Sequence, residues 1–318
     1  DISFNLSGPL CLAICTAFLG TVQVNWNQVQ KVHIAILAPL VGTGFLVAFG
    51  LMSVENLEIQ ASSKLSSAGY GPNQMSSMLG LGALVAILNA IYFSGTWKIR
   101  CFMVLIGMWL SVQSALTFSR GGFWNFLIAA IIACAILYRN EKFTKIIIFG
   151  VLTFFLAATF LVIPRLDDYT EGAFSKRFES FDTTGRKEIS QTDLKIFMQN
   201  PIFGVGPGQS ESQHLKYLGA PKAAHTEYSR LLAEHGLFGV AAIGILIILC
   251  VQRYCNKVPT EYKALTMAFT VWALFFMLHA AMRLAAASFL FALAAMKFSD
   301  KRRHLLKILL GREKNMGK

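Results

Sequence analysis

The stretch LTFSRGGFWNFLIAA, from Leu116 to Ala130, would dissolve in a lipid bilayer but for one arginine and the two glycines that follow it. Arg120 lies between two apolar runs, 101–119 and 122–138, each near the length of about 20 residues that crosses a membrane. A guanidinium is costly inside hydrocarbon and belongs at the interface or in a polar cavity. The stretch therefore reads as the end of one membrane span and the start of the next, with Arg120 at the boundary.

Similar runs recur along the chain, near 6–22, 32–52, 74–94, 146–163, 237–252, 264–282 and 284–296. The composition agrees: 55% of the 318 residues are hydrophobic, 14% are charged, and the mean hydropathy is +0.53. These values depart from soluble averages in the direction that repeated spans require. The predicted fold is an all-α polytopic membrane protein, a bundle of about nine transmembrane helices. Its organisation is N-terminal membrane helices over 1–163, a large external helical loop over 164–236, C-terminal membrane helices over 237–296, and a basic tail over 297–318. No charged n-region with a small-residue cleavage site precedes the first span, so no signal peptide is read, and earlier helices are expected upstream of Asp1.

Charge asymmetry sets the orientation. The segments 23–33, 95–100, 139–145, 253–263 and 297–318 together hold 17 of the 29 basic residues but 4 of the 17 acidic ones. That face is assigned to the cytoplasm and accounts for the whole of the chain's net charge of +12, so the basicity calls for no nucleic-acid partner. The tail "KFSDKRRHLLKILLGREKNMGK" is read as an anchor on anionic membrane lipid. The six cysteines sit in or beside spans, none in the external loop, with neither a disulfide framework nor a CxxC metal pattern.

The external loop has three parts. In "TTGRKEISQTDLKIFMQNP", Ile189, Leu194, Phe197 and Met198 can share one face of a short helix on the membrane surface, with Thr184 as a cap and Pro201 as a stop. "IFGVGPGQS" is a tight turn; it lacks the Lys-Ser/Thr of a P-loop, which argues against nucleotide binding. "HTEYSRLLAEHGLFGV" opens a helix at His225 that runs into the next span, with His225, Ser229 and Leu232 roughly on one face. The carboxylates Glu188, Asp193, Glu227 and Glu234 read as ordinary loop charges.

By this topology Arg120, Arg186 and His225 all lie outside, where the positive-inside bias gives an arginine little use as an anchor. A guanidinium presents a planar fork of donors that matches phosphate oxygens and keeps its charge at any physiological pH. Gly121 and Gly122 would let a bulky head group approach the backbone. A lipid diphosphate, tail in the bilayer and phosphates at the interface, is the anion that fits. Arg283, with His279 one turn before it, is read as a hairpin anchor that can also line the cavity.

"TFSRGG", then "GR", "NPIFGVGPGQ" and "HTEYSRLLAEHGLFG" on one long external loop, resemble the O-antigen ligase and polymerase superfamily of bacterial envelope glycosyltransferases, over roughly 70–300. The resemblance implies a glycan moved from a polyprenyl (undecaprenyl) diphosphate carrier to an acceptor on the outer face of the bacterial inner membrane, without nucleotide, metal or other cofactor. It implies Arg120 and Arg186 on the donor diphosphate and His225 as catalytic base. "GYGPNQMSSM", from Gly69 to Met78, resembles an Asn-containing segment of the family and brings Asn73 to the cavity. Thr226 departs from the Asn that often comes directly after the histidine. Ligase, polymerase and protein O-glycosylation remain open, with lipid A core, a second glycan or a protein as acceptor.

The competing expectation is a transporter or flippase of the same lipid-linked glycan. Such a protein would show broken helices or ionisable groups near the bilayer midplane. His279 is the ionisable side chain placed clearly inside a predicted span, which favours the enzyme.

Overall fold

The computed structural model describes residues 2–52, 67–93, 95–138, 163–169, 185–224, 226–279 and 285–299, with isolated positions between them. The elements are α1 (Ile2–Leu19), β1 (Gln23–Val24), α2 (Trp26–Met52), α3 (Pro72–Tyr92), α4 (Trp97–Leu116), α5 (Arg120–Leu137), α6 (Ile163–Tyr169), α7 (Arg186–Gln199), α8 (Ser210–Leu218), α9 (Glu227–His235), α10 (Leu237–Cys255), α11 (Thr260–His279), α12 (Ala285–Leu293) and β2 (Lys297–Phe298).

Among the described residues, six helices are long and apolar enough to cross a membrane: α2, α3, α4, α5, α10 and α11. The remaining three predicted spans fare differently. α1 is an 18-residue helix whose apolar part runs over Leu6–Leu19. The predicted span 146–163 lies almost wholly outside the described residues. In 284–296 the described helix has 9 residues, roughly 13 Å at 1.5 Å per residue, so the described part alone does not reach the length of a span. Instead α12 is buried against α1, where the Ser288 hydroxyl donates to the Gly8 carbonyl at 3.0 Å.

Local chemistry explains several helix boundaries. Pro72 occupies the first turn of α3, where its missing N–H costs nothing. Thr96 caps α4 by accepting from the Ile99 amide. Gly219 ends α8 in the left-handed conformation, at φ 70°.

α3 is the central helix, buried on most sides, with Leu79, Ala83 and Leu84 fully enclosed. It packs tightly on α5 because both helices carry glycine at the crossing. A Cβ on Gly80 would come within 2.7 Å of the Gly122 carbonyl, and one on Gly122 within 2.2 Å of the Ser76 and Ser77 backbone. Small residues permit this approach where lipid supplies no hydrophobic drive between helices. Gly122 thus serves helix packing, and the space expected beside it is taken by α3. Gly122→Ala is expected to destabilise the bundle by about 1–3 kcal/mol, because the obstructing atoms are backbone. A lower thermal midpoint in detergent would show it, and an unchanged midpoint would contradict the contact.

One end of the bundle is closed by aromatic rings. Trp26 packs against Tyr92, Phe93, Tyr262 and Phe298, and the Tyr262 hydroxyl donates to the Met296 carbonyl at 2.7 Å. The two-residue parallel pair of β1 and β2 lies beside this cluster. The N-termini of α3 and α5 stand at the opposite end, which also carries α7, α8 and α9.

Candidate functional site

At that opposite end the chain turns sharply between α4 and α5. Phe118 is 1% exposed and has a positive φ of 56°, a conformation that costs a bulky residue free energy and persists only where its surroundings enforce it. The enforcement is visible in three serines. Ser114 Oγ donates to the Ser76 carbonyl at 2.8 Å, Ser76 Oγ donates to the Ser119 carbonyl at 2.8 Å, and Ser119 Oγ donates to Asn73 Oδ1 at 2.6 Å. The start of α5 is therefore pinned to the first turn of α3.

Asn73 Oδ1 also accepts from Arg186 Nη2 at 3.3 Å. One amide oxygen thus gathers the first residue of α7 and the residue before Arg120. Arg120, Arg186, Asn73 and Gly121 are all half-buried. Asn73 and Arg186, from segments far apart in the chain, are hydrogen-bonded to each other, and Arg120 directly follows the Ser119 that bonds the same amide. Arg120 is also the first residue of α5. A cation there opposes the helix dipole, whereas an anion at that end is favoured by both the dipole and the guanidinium.

His225 and Arg283 lie outside the described residues, as does the side chain of His279, the last residue of α11. Ala224 is buried, and α9 begins at Glu227. Thr184, expected to cap α7, also lies outside; Gly185, at φ 73°, holds the N-cap position.

The predicted face of α7 needs correction. Its buried residues are Ile189, Thr192, Asp193 and Ile196, while Leu194 and Met198 are exposed. Ile202, Phe203, Leu237 and Phe238 are exposed as well, and the Phe203 and Phe238 rings stack at 6.1 Å. The inward face of α7 is chosen by Asp193, whose carboxylate is the centre of a buried polar cluster. Its Oδ1 meets His214 Nε2 at 2.8 Å, and its Oδ2 accepts from Ser229 Oγ at 2.6 Å. His214 Nδ1 faces the Lys222 carbonyl. Asp193, on α7, therefore ties down α8 and α9 together.

Glu227 and Glu234 are likewise not loop charges. Both are buried and pair with Arg230, Glu234 at 3.2 Å, and Glu234 Oε1 also accepts from Ser210 Oγ at 2.7 Å. Glu188 alone of the four carboxylates is exposed.

The glycine turn has a structural task. The Val205 and Gly206 amides donate to the Ala233 and Glu234 carbonyls, both at 3.0 Å, and so cap the C-terminus of α9. Gly204, at φ 67°, lies so close to Glu234 that a Cβ would come within 2.3 Å of its backbone. Amides spent on helix carbonyls cannot cradle a phosphate, in agreement with the missing P-loop residues.

No curated protein matches the sequence of the chain. The family model described as O-antigen ligase matches residues 105–244. The matched region runs from α4 through the loop helices into α10 and contains Arg120, Arg186, Asp193, His214 and position 225, while Asn73 precedes it. Over residues 105–244, this helical chain, with six helices long and apolar enough to cross a membrane among its described residues, is similar to the O-antigen ligase family.

Proposed function

We propose that the protein is a membrane glycosyltransferase that moves a glycan from a polyprenyl diphosphate carrier to an acceptor hydroxyl on the outer face of the inner membrane. The observation that carries this reading is the Arg186–Asn73–Ser119 junction at the start of α5, which sets one arginine beside the helix end that begins with another. The family match supports the reaction class.

Beyond the cytoplasm a sugar must arrive already activated, and a lipid diphosphate is an activated leaving group. Charge builds on the departing diphosphate, and two guanidiniums with a helix N-terminus stabilise it, in the manner of preorganised donors worth several kcal/mol. His225, three residues past the Lys222 carbonyl that His214 faces, accepts the proton of the acceptor hydroxyl. One displacement at the anomeric carbon inverts its configuration. A covalent route would need a free carboxylate nucleophile; Asp193, Glu227 and Glu234 are already engaged in buried contacts, which leaves the exposed Glu188 as the one candidate of the four.

The exposed apolar surface of Leu194, Met198, Ile202, Phe203 and Phe238 supports a loop seated on the membrane surface, at the depth of lipid head groups. To test the reading, the purified protein is incubated with a polyprenyl-diphosphate-linked glycan alone and the products are resolved on a gel. A ladder of longer glycans is expected of a polymerase; transfer only after lipid A core or protein is added is expected of a ligase or protein transferase. No transfer with any of these acceptors would refute the reading.

A further inference from the structure

His214 is fully buried on α8, and the chemistry of its two neighbours fixes its state. Nε2 faces the Asp193 carboxylate at 2.8 Å and Nδ1 faces the Lys222 carbonyl. A carbonyl can only accept, and so can an ionised carboxylate. A neutral imidazole has one N–H and would leave one of these contacts with two acceptors and no proton. Both contacts are satisfied only when both ring nitrogens carry hydrogen.

The two contacts have different tasks. Asp193 belongs to α7, the helix that begins with Arg186, and its second oxygen holds Ser229 on α9. Lys222 belongs to the segment between Gly219 and α9, which holds the buried Ala224 and leads directly to position 225. The imidazole is thus a side-chain link between the helix that carries Arg186 and the approach to His225.

We propose that His214, held as an imidazolium between Asp193 and the Lys222 carbonyl, is a positioning residue that sets the segment leading into His225. The proposal rests on the glycan-transfer reading for what the positioning serves. Loss of the proton breaks one contact, so that the ring then holds the segment 219–224 to α8 or α8 to Asp193 on α7, but not both.

The charges around the ring agree with this state. Burial alone would lower the pKa of His214, but the hydrogen bonds to Asp193 and the Lys222 carbonyl, with the Asp193 and Glu211 charges, outweigh it and hold it above the usual histidine value. The Asp193 charge also acts on Arg230, on α9. Because the folded-state pKa is raised, the stabilisation is complete below the ordinary value of about 6.5 and is lost as pH rises through the folded-state pKa. The pH effect therefore falls on the alkaline side, opposite to that of a general base, which idles in acid.

Two readouts on the full chain in detergent test the proposal. Hydrogen exchange of the wild-type amides 219–224, corrected for the intrinsic rate at each pH, should show protection near pH 6 that fades in alkali. His214→Gln should lack that protection throughout, and Asp193→Asn, the milder variant, should lose it at lower pH than wild type. In the transfer assay His214→Gln should lower kcat about tenfold to a hundredfold, the scale set by a misplaced catalytic group. Its donor KM should stay within about twofold, since no substrate contact is removed, and its alkaline fall in rate should disappear.

Wild-type protection that does not change with pH, or a variant with the wild-type alkaline limb, would overturn the proposal. If the exchange pattern holds while the wild type transfers no glycan, the anchoring by His214 stands and the glycan-transfer reading is the one that fails.

Discussion

His225→Ala is expected to lower the rate of glycan transfer by about 10²–10⁴, the range that positioned acid–base groups supply, with donor binding much less affected. A sugar hydroxyl is a poor nucleophile until its proton has somewhere to go, and an imidazole near neutrality is the side chain best suited to take it. Under the proposed reading the arginines, not the base, hold the diphosphate, so donor affinity should survive. The pH profile gives an independent check, because protonated imidazole cannot act as base and the wild-type rate must fall in acid. A rate unchanged across pH 6 to 9, in wild type or by the substitution, would remove His225 from this role. His225→Gln, which keeps a polar side chain but no basic nitrogen, should be as impaired as alanine.

Much of the fold was legible because bilayer physics is written in composition. A run such as 74–94 admits few readings other than a crossing helix, and α3 occupies Pro72–Tyr92. The shortest apolar runs were harder. The residues at 284–296 have the hydropathy of a span, yet the described helix α12 stops at Leu293, where the chain turns and pairs with β1. Hydropathy reports the medium in which a segment can dissolve, and a buried protein groove is as apolar as lipid.

The site divides along the same line. Arg120 and Arg186 were visible as charges that the topology left without a use, and Asn73 entered through its resemblance to the family. Ser119 was not singled out, because its role depends on Phe118 turning with positive φ so that its hydroxyl meets Asn73. The cluster of Asp193, His214 and Ser229 was missed for a related reason. Helical periodicity is ordinarily read from apolar residues, and on α7 the buried face mixes two apolar residues with two polar ones: Ile189, Thr192, Asp193, Ile196. Those positions have the spacing i, i+3, i+4, i+7, so admitting polar residues to the pattern would have found Asp193. Its partners on α8 and α9 are 21 and 36 residues away, and no local pattern connects them.

Arg120→Ala is expected to lower transfer by about 10²–10³, the cost of removing one preorganised donor from developing negative charge, while the variant still inserts in the membrane. An arginine that only anchored a helix end would behave in the opposite way, altering insertion and sparing turnover. Arg120→Lys separates charge from geometry: it keeps the positive charge but loses the planar fork that matches phosphate oxygens, so it should recover only part of the rate. Arg186→Ala should be similarly impaired. It also removes a donor to Asn73 Oδ1, so Asn73→Ala serves as the control for that structural contact. If both guanidiniums grip one diphosphate, the double variant should cost less than the product of the single losses, because the second arginine works fully only when the first has fixed the ligand. Strictly multiplicative losses would mean that the two act on separate groups. Full transfer by Arg120→Ala would leave the arginine in LTFSRGG as a membrane anchor and remove the diphosphate from the start of α5.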